Sequence, residues 1–300
     1  MRALATQGHA EKVVDWLGQM LIAAFKPDIS CYNEVIHAFA KRKDSENSVE
    51  WLTKISTAQL DPDLGSYTAV AQAFTQKGGE VVVEWLEKMT AAQLEHTVES
   101  YNLALDAYAQ EGAAEKAMEW LIKMEFANLY PQVASYNMVI NSFKNRVALC
   151  VKDLDVLSRS EAEYYAASAG DMIANMEWAA VRPNSVSYST VIQTYAKMRD
   201  HTSASNWFAK MRAAQLKPDT RIYNEVMGAY SMEGGESVVK WFNEMESMNL
   251  KPNGLSYNAV IHSFTKAGDE GKALEWLDKM RTAKWIPNER TYQMFITFHS

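Results

Sequence analysis

The chain is poor in the features that usually betray chemistry. It has only two cysteines, Cys31 and Cys150, in 300 residues. Two thiols make neither a disulfide framework nor a metal site, and they read as buried groups in a reducing compartment. No apolar run approaches the roughly 18 residues that a membrane span needs. The formal net charge is −7, which counts against a protein that simply wraps nucleic acid by charge. No metal-ligand cluster, phosphate-cradling glycine loop or Ser/His/Asp arrangement rises above chance, so no enzyme, cofactor or metal is expected. No secretory or transit signal is read at Met1. The first residues already lie inside a repeat, Ala10–Asp28 reading as a second helix without its first. The chain is therefore expected to be a piece of a longer one.

What the chain has instead is repetition. Tyr32, Tyr67, Tyr101, Tyr136, Tyr188, Tyr223, Tyr257 and Tyr292 stand 35, 34, 35, 52, 35, 34 and 35 residues apart. A Trp followed by Leu or Phe recurs at positions 16, 51, 85, 120, 207, 241 and 276, and Met or Ile follows four residues later. From each Trp to the next Tyr there are 16 residues, whereas the distance from Tyr to its own Trp varies. Length variation thus lies inside a unit, and the junction between units is constant, as stacking of neighbours in a solenoid requires.

Each unit reads as two helices. The first, helix A, carries an apolar stripe at i, i+4, i+7, as in Tyr257, Ile261 and Phe264, which is helical spacing. Helix B carries Ala-x-x-Trp-Leu-x-x-Met, expected to be core. Gly78, Gly79, Gly112, Gly234, Gly235 and Gly268 follow helix A, where a left-handed stop favours glycine. Units 29–63 and 185–219 lack that glycine, so looser turns are expected there. Helix B is expected to end near Pro62, Pro131, Pro183, Pro218, Pro252 and Pro287. The fold class is all-α, a single array over 1–300. Its full units are 29–63, 64–97, 98–132, 133–184, 185–219, 220–253 and 254–288, with a partial repeat at each end. Unit 133–184 is longer. Its second helix is read at Ala162–Ala180, and Val147, Leu149, Val151, Leu154 and Leu157 are read as one face of an added helix or a longer helix A. The insertion 145–163 is a structural elaboration or a partner surface.

Units reading S-Y-N-x-V-I-x-x-F-x-K-x-G…A-x-x-W-L-x-x-M…P-D/N resemble pentatricopeptide repeats over about residues 10–300. The habitual Trp departs from the plant-type pattern, which has Leu or Phe more often. The resemblance implies a right-handed α-solenoid with helices A lining a concave groove. It further implies binding of single-stranded RNA, one base per repeat, in a mitochondrion or plastid.

Two positions carry that expectation. The residue after each repeat Tyr lies about 100° from the buried stripe and is small and polar: Asn33, Thr68, Asn102, Asn137, Ser189, Asn224 and Asn258. The residue four before the next Tyr is Asp63, Thr97, Gln132, Asn184, Asp219, Asn253 and Asn288. Each has a hydrogen-bonding side chain that suits the edge of an unstacked base, or caps the next helix. By resemblance, Asn33/Asp63 is a uracil pair. Asn137/Asn184, Asn224/Asn253 and Asn258/Asn288 are pyrimidine pairs, and Ser189/Asp219 is a guanine pair. Thr68/Thr97 and Asn102/Gln132 match no pair. The implied order is 5′-U-N-N-Y-G-Y-Y-3′.

The second residue of each unit resembles the base-sandwiching position. Val186 matches the family preference and Arg221 and Leu255 are further candidates, whereas Ser30, Gly65, Glu99 and Ala134 depart from it. Lys41, Lys197 and Lys266 lie where the family holds phosphate. Three to five such contacts imply a log–log salt slope of about −2 to −4. The alternative reading is a protein-interaction solenoid, with partners on the acidic convex surface or the insertion.

Overall fold

The computed structural model describes residues 1–152 and 156–296. Among these the protein is all helical, with no strand. Two compact units are present, residues 1–145 and 146–300.

The first unit holds α1 (Arg2–Thr6), α2 (Ala10–Ile22), α3 (Ile29–Lys41), α4 (Ser45–Thr57), α5 (Leu64–Ala73), α6 (Gly79–Ala91), α7 (Val98–Glu111) and α8 (Ala114–Phe126). The boundary falls within α9 (Val133–Cys150). The second unit holds α10 (Val156–Trp178), α11 (Ser185–Lys197), α12 (His201–Ala213), α13 (Thr220–Ala229), α14 (Gly235–Ser247), α15 (Gly254–Lys266), α16 (Glu270–Thr282) and α17 (Glu289–Ile296). A helix therefore does precede α2: the five residues Arg2–Thr6 pack on α3, where the sequence suggested a second helix without its first.

Within each unit the A helices form a row: α1, α3, α5 and α7 touch in sequence, as do α11, α13, α15 and α17. A B helix such as α4 or α14 contacts the A helix on either side of it. The buried stripe is the one the spacing predicts. Tyr32, Ile36 and Phe39 are buried in α3, Tyr101, Leu105 and Tyr108 in α7, and Tyr257, Ile261 and Phe264 in α15. In helix B the residue four after Trp is the deepest anchor. Ile55, Met89, Met124, Met211 and Met245 are fully buried, each contributing roughly 1.5–3 kcal/mol.

The Trp itself corrects the expectation of a core residue. Trp51, Trp85 and Trp276 are buried, Trp120, Trp207 and Trp241 are only half-buried, and Trp16 is exposed. The rings of Trp51, Trp120, Trp207, Trp241 and Trp276 meet the Tyr of their own repeat, as in Tyr101–Trp120 with centroids 5.4 Å apart, and Trp85 meets Phe74 instead. In five repeats a Lys three residues later on the same helix lies over the ring. Lys54, Lys88, Lys210 and Lys279 sit 4.0, 3.8, 3.9 and 4.4 Å from the ring centres. A cation over an indole face stabilises a half-exposed ring.

Helix ends depart from expectation in three ways. Units 29–63 and 185–219 turn as tightly as the others, because Lys43 and Arg199 adopt left-handed φ of 59° and 58°. The closing bond Asp44 N to Phe39 O, at 3.0 Å, repeats that of Asp269 N to Phe264 O, at 3.0 Å, beyond Gly268. Gly79 and Gly235 are not turn residues but the first residues of α6 and α14. They are small because a Cβ would lie 2.2 Å from the ring of Tyr108 or Phe264 in the next A helix. Helix B stops well before its proline. Its end is a left-handed non-glycine residue, such as Gln59, Gln93 or Gln215. The N–H of the next apolar residue then bonds the carbonyl of the buried anchor, as Leu60 does to Ile55 and Leu94 to Met89. This is a Schellman closure with its hydrophobic contact built in.

The long unit contains no separate added helix among its described residues. Both of its helices are lengthened instead: α9 to 18 residues, and α10 to 23, starting at Val156 rather than near Ala162. The proposed single face does not hold, because Val147 is buried while Leu149 and Val151 are exposed. Alternate residues of a helix do not share a face. Leu154 and the side chain of Leu157 lie outside the described residues. In the second unit, Arg146 and Cys150 of α9 reach Glu161 of α10 at 3.8 and 3.6 Å. The register returns at Met172 and Met176, both buried.

Candidate functional site along the first helices

The two polar positions of a repeat are brought together by the fold. Asp63, Thr97, Asn184, Asp219 and Asn253 are each the N-cap of the next helix A. Asn288 caps α17 in the same way, accepting from Thr291 N at 3.0 Å. The cap turns the chain into the next helix at its N-terminus, which sets its side chain beside the preceding A helix. Asn33 Nδ2 accordingly donates to Asp63 Oδ1 at 2.9 Å, and Asn224 Nδ2 to Asn253 Oδ1 at 3.1 Å.

A third residue completes the arrangement, and sequence reasoning gave it no role. The Ser or Thr before each Tyr is fully buried at Ser66, Ser100, Ser135, Ser187, Ser256 and Thr291. In four of these the hydroxyl donates to the Asn that follows the Tyr of the previous repeat. The distances are Ser66 to Asn33 2.6 Å, Ser135 to Asn102 2.7 Å, Ser256 to Asn224 2.7 Å and Thr291 to Asn258 2.8 Å. The backbone N–H of the cap position donates back to the same hydroxyl at Asp63, Thr97, Gln132, Asn184, Asn253 and Asn288. The S-Y-N motif was the available signal, since Ser at N3 opposite an Asp or Asn cap is a capping box in reverse dress. The residues after each Tyr consequently do not leave the core as far as their angle on the helix suggested. Thr68, Ser189 and Asn258 are buried, and Asn33, Asn102, Asn137 and Asn224 are half-buried.

The other repeats vary. Ser189 Oγ turns back to Val186 O at 3.0 Å, since the next repeat offers Ile222 instead of Ser. Asp219 caps through Ile222 N at 2.9 Å. Thr68 Oγ1 is buried with no hydrogen-bond partner. Asn137 belongs to the first compact unit and Asn184 to the second.

Electrostatics differ between the rows. Burial pushes the Asp63 carboxyl up, but hydrogen bonds from Ser66 N–H, the Asn33 amide and the Ser66 hydroxyl outweigh it and hold the group below its usual range. In the first unit a groove of about 720 Å³ is lined by Asn33, His37, Gly65, Thr68, Gln72 and Glu99, among others. In the second unit, burial first, and then Lys266, Arg199 and Arg290, hold His262 below the ordinary histidine range. At the second position, Val186, Arg221 and Leu255 are all exposed, as are Ser30, Gly65, Glu99 and Ala134. Arg290, unremarked in the sequence, occupies the same exposed position in the last half-unit. Lys41, Lys197 and Lys266 are exposed at the far end of their helices. Among the described residues there is no group of three potential metal ligands, and no helix is long and apolar enough to cross a membrane.

The family model described as the pentacotripeptide-repeat region of PRORP matches residues 127–299, more than half of the chain. The chain is a pentatricopeptide repeat protein. A second model, the pentatricopeptide repeat domain, matches residues 84–146. No curated protein matches. Among solved structures, the pentatricopeptide repeat protein PPR10 from maize matches with a TM-score of 0.69 at 22% identity. That match covers 98% of this chain and 40% of PPR10, so the repeat array in hand spans well under half of that protein. PPR10 in complex with an 18-nt psaJ RNA element matches at TM-score 0.55 and 20% identity, over 92% of this chain and 43% of the other. Nuclear proteinaceous RNase P 2 from A. thaliana matches at 0.52 and 13%, over 68% and 42%. At these identities the shared property is the solenoid fold of helical repeats, to which the all-helical repeats of this chain conform.

Proposed function

We propose that this chain is a sequence-selective module for single-stranded RNA, reading one base per repeat through the paired side chains. The observation that carries the reading is the hydrogen-bonded contact of the two polar positions, Asn33 with Asp63 and Asn224 with Asn253. One base edge could meet both members of such a pair at once, which is how side chains recognise unstacked bases. Support also comes from the fold, since a structure of similar fold holds an 18-nt RNA element. We read residues 1–300 as one array. Asn33/Asp63 takes U, Ser189/Asp219 takes G, and the Asn/Asn pairs take pyrimidines. Val186, Arg221 and Leu255 flank the bases, and Lys41, Lys197 and Lys266 meet phosphate. The setting is RNA processing, stability, editing or translation in a mitochondrion or plastid.

The test is fluorescence anisotropy with the RNA UAACGCC, a scrambled RNA and the matching DNA. Selective binding to the first supports the reading. Absence of binding to all three, with the helical circular dichroism intact, overturns it in favour of a protein-binding solenoid. One observation favours that second reading: Glu34 and Glu99 line the groove of the first unit, where they would repel phosphate.

A further inference from the structure

The residue before the proline at a repeat junction is a cation at one of four junctions in the first compact unit and at three of four in the second. In the first unit it is Lys26, then Asp61, Glu95 (before His96, which replaces the proline) and Tyr130. In the second it is Arg182, Lys217 and Lys251 at three consecutive junctions, and Ile286 at the last. All three of these cations are exposed. No ion pair of the described residues includes them, although Lys54, Lys123, Arg212, Lys272 and Lys279 of the B helices are all paired with carboxylates. A protein of net charge −7 has an excess of carboxylates to offer. Three unpaired cations at one repeat position are therefore a feature of that position.

Their place in the repeat gives them a role. Each stands two residues before a cap residue of a base-reading pair: Asn184, Asp219 and Asn253. The chain is extended at each cap, with φ/ψ of −113°/−178°, −98°/175° and −117°/179°. Two residues of chain reach about 7 Å at most, so each cation lies close to its cap. One cation thus stands beside each of the caps Asn184, Asp219 and Asn253, with the period of the repeat, and Ile286 takes its place before Asn288. A single strand that presents one base per repeat also presents one phosphate per repeat.

We infer that Arg182, Lys217 and Lys251 form a phosphate rail, one cation per nucleotide, along the junction edge of the second unit. The inference rests on the RNA reading proposed above. The rail is separate from the Lys197 and Lys266 positions, which lie at the opposite end of the A helices. It supplies affinity and register but no base preference, because phosphate contacts position a strand without reading it.

The full chain with R182Q/K217Q/K251Q tests this, against UAACGCC by fluorescence anisotropy at several salt concentrations. Three lost contacts at roughly 0.7 each should flatten the salt slope by about 2 and weaken binding about 100-fold at about 0.1 M salt. Preference for G at the fifth position should persist. The matched variant K12Q/K88Q/K240Q, which removes three B-helix charges, should keep the slope. An unchanged slope in the rail variant, or an equal loss in the matched variant, overturns the rail while leaving the RNA reading intact. Failure of the unaltered chain to bind RNA overturns the reading and the rail together. Circular dichroism on each variant separates loss of binding from loss of fold.

Discussion

Asn33 and Asp63, thirty residues apart in the chain, meet at 2.9 Å, and the Ser66 hydroxyl bonds to both. The contact joins one repeat to the next through the same two side chains proposed to read a base. Reading and stacking therefore share residues, and variants at these positions should change both.

Ser66→Ala removes the hydroxyl from Asn33 Oδ1, from Asp63 Oδ1 and from the Asp63 N–H at a fully buried site. A cost of about 1–3 kcal/mol is expected from the groups left unpaired. Urea unfolding with an unchanged m-value checks it. A midpoint equal to that of the unaltered protein would show that water replaces the hydroxyl.

Asn224→Ala with Asn258→Ala takes away two carboxamides that accept from Ser256 and Thr291. Selectivity for UAACGCC over the scrambled RNA should disappear, with about 1 kcal/mol lost per hydrogen bond in stability. Anisotropy and a melt on the same sample check both effects. Retained selectivity would put the reading positions elsewhere.

Gly79→Ala and Gly235→Ala each direct a methyl into an aromatic ring 2.2 Å away. Both glycines begin a B helix with ordinary helical backbone, so the cost is steric, about 1–3 kcal/mol as for overpacking. Gly228→Ala is the comparison, since a Cβ there meets nothing within 4 Å. A gain in stability for Gly228→Ala beside losses for the other two is the expected pattern in thermal melts.

His37, His96 and His262 are all held below the ordinary histidine value of 6.5, burial being the first cause in each. The folded protein thus favours neutral rings, and the unfolded chain binds more protons below about 6.5. The stability they contribute is full above that value. It declines as pH falls towards the lowered folded values and levels off beneath them. Urea midpoints at about pH 7.5 and about pH 5.5 should differ in that direction, and by less in His262→Gln. Phosphate beside His262 would favour its charged form, so RNA binding should tighten over the same interval.

The repeat, the helical stripe and the two polar positions that meet at a junction were legible because each rests on spacing, and spacing survives in one dimension. The Ser before each Tyr was visible but mute: its hydroxyl acts on a residue some 33 positions away, from Ser66 back to Asn33. The tryptophans misled because hydrophobicity says core, while Lys210, one helical turn on, covers the face of the half-buried Trp207. Gly79 and Gly235 looked like turn glycines beside Gly78 and Gly234, and only the ring of the next repeat explains them.

By itself, then, the sequence determined that this protein is a stack of helical hairpins with a fixed junction, because a constant 16 residues from Trp to Tyr admits one way of joining neighbours. Tertiary structure alone decided which groups face each other across that junction. It set the Asn of one repeat against the cap of the next, closed two turns on Lys43 and Arg199 without glycine, and divided the long unit's extra residues between two helices. Those outcomes depend on packing partners a full repeat away, and local propensity carries no information about them.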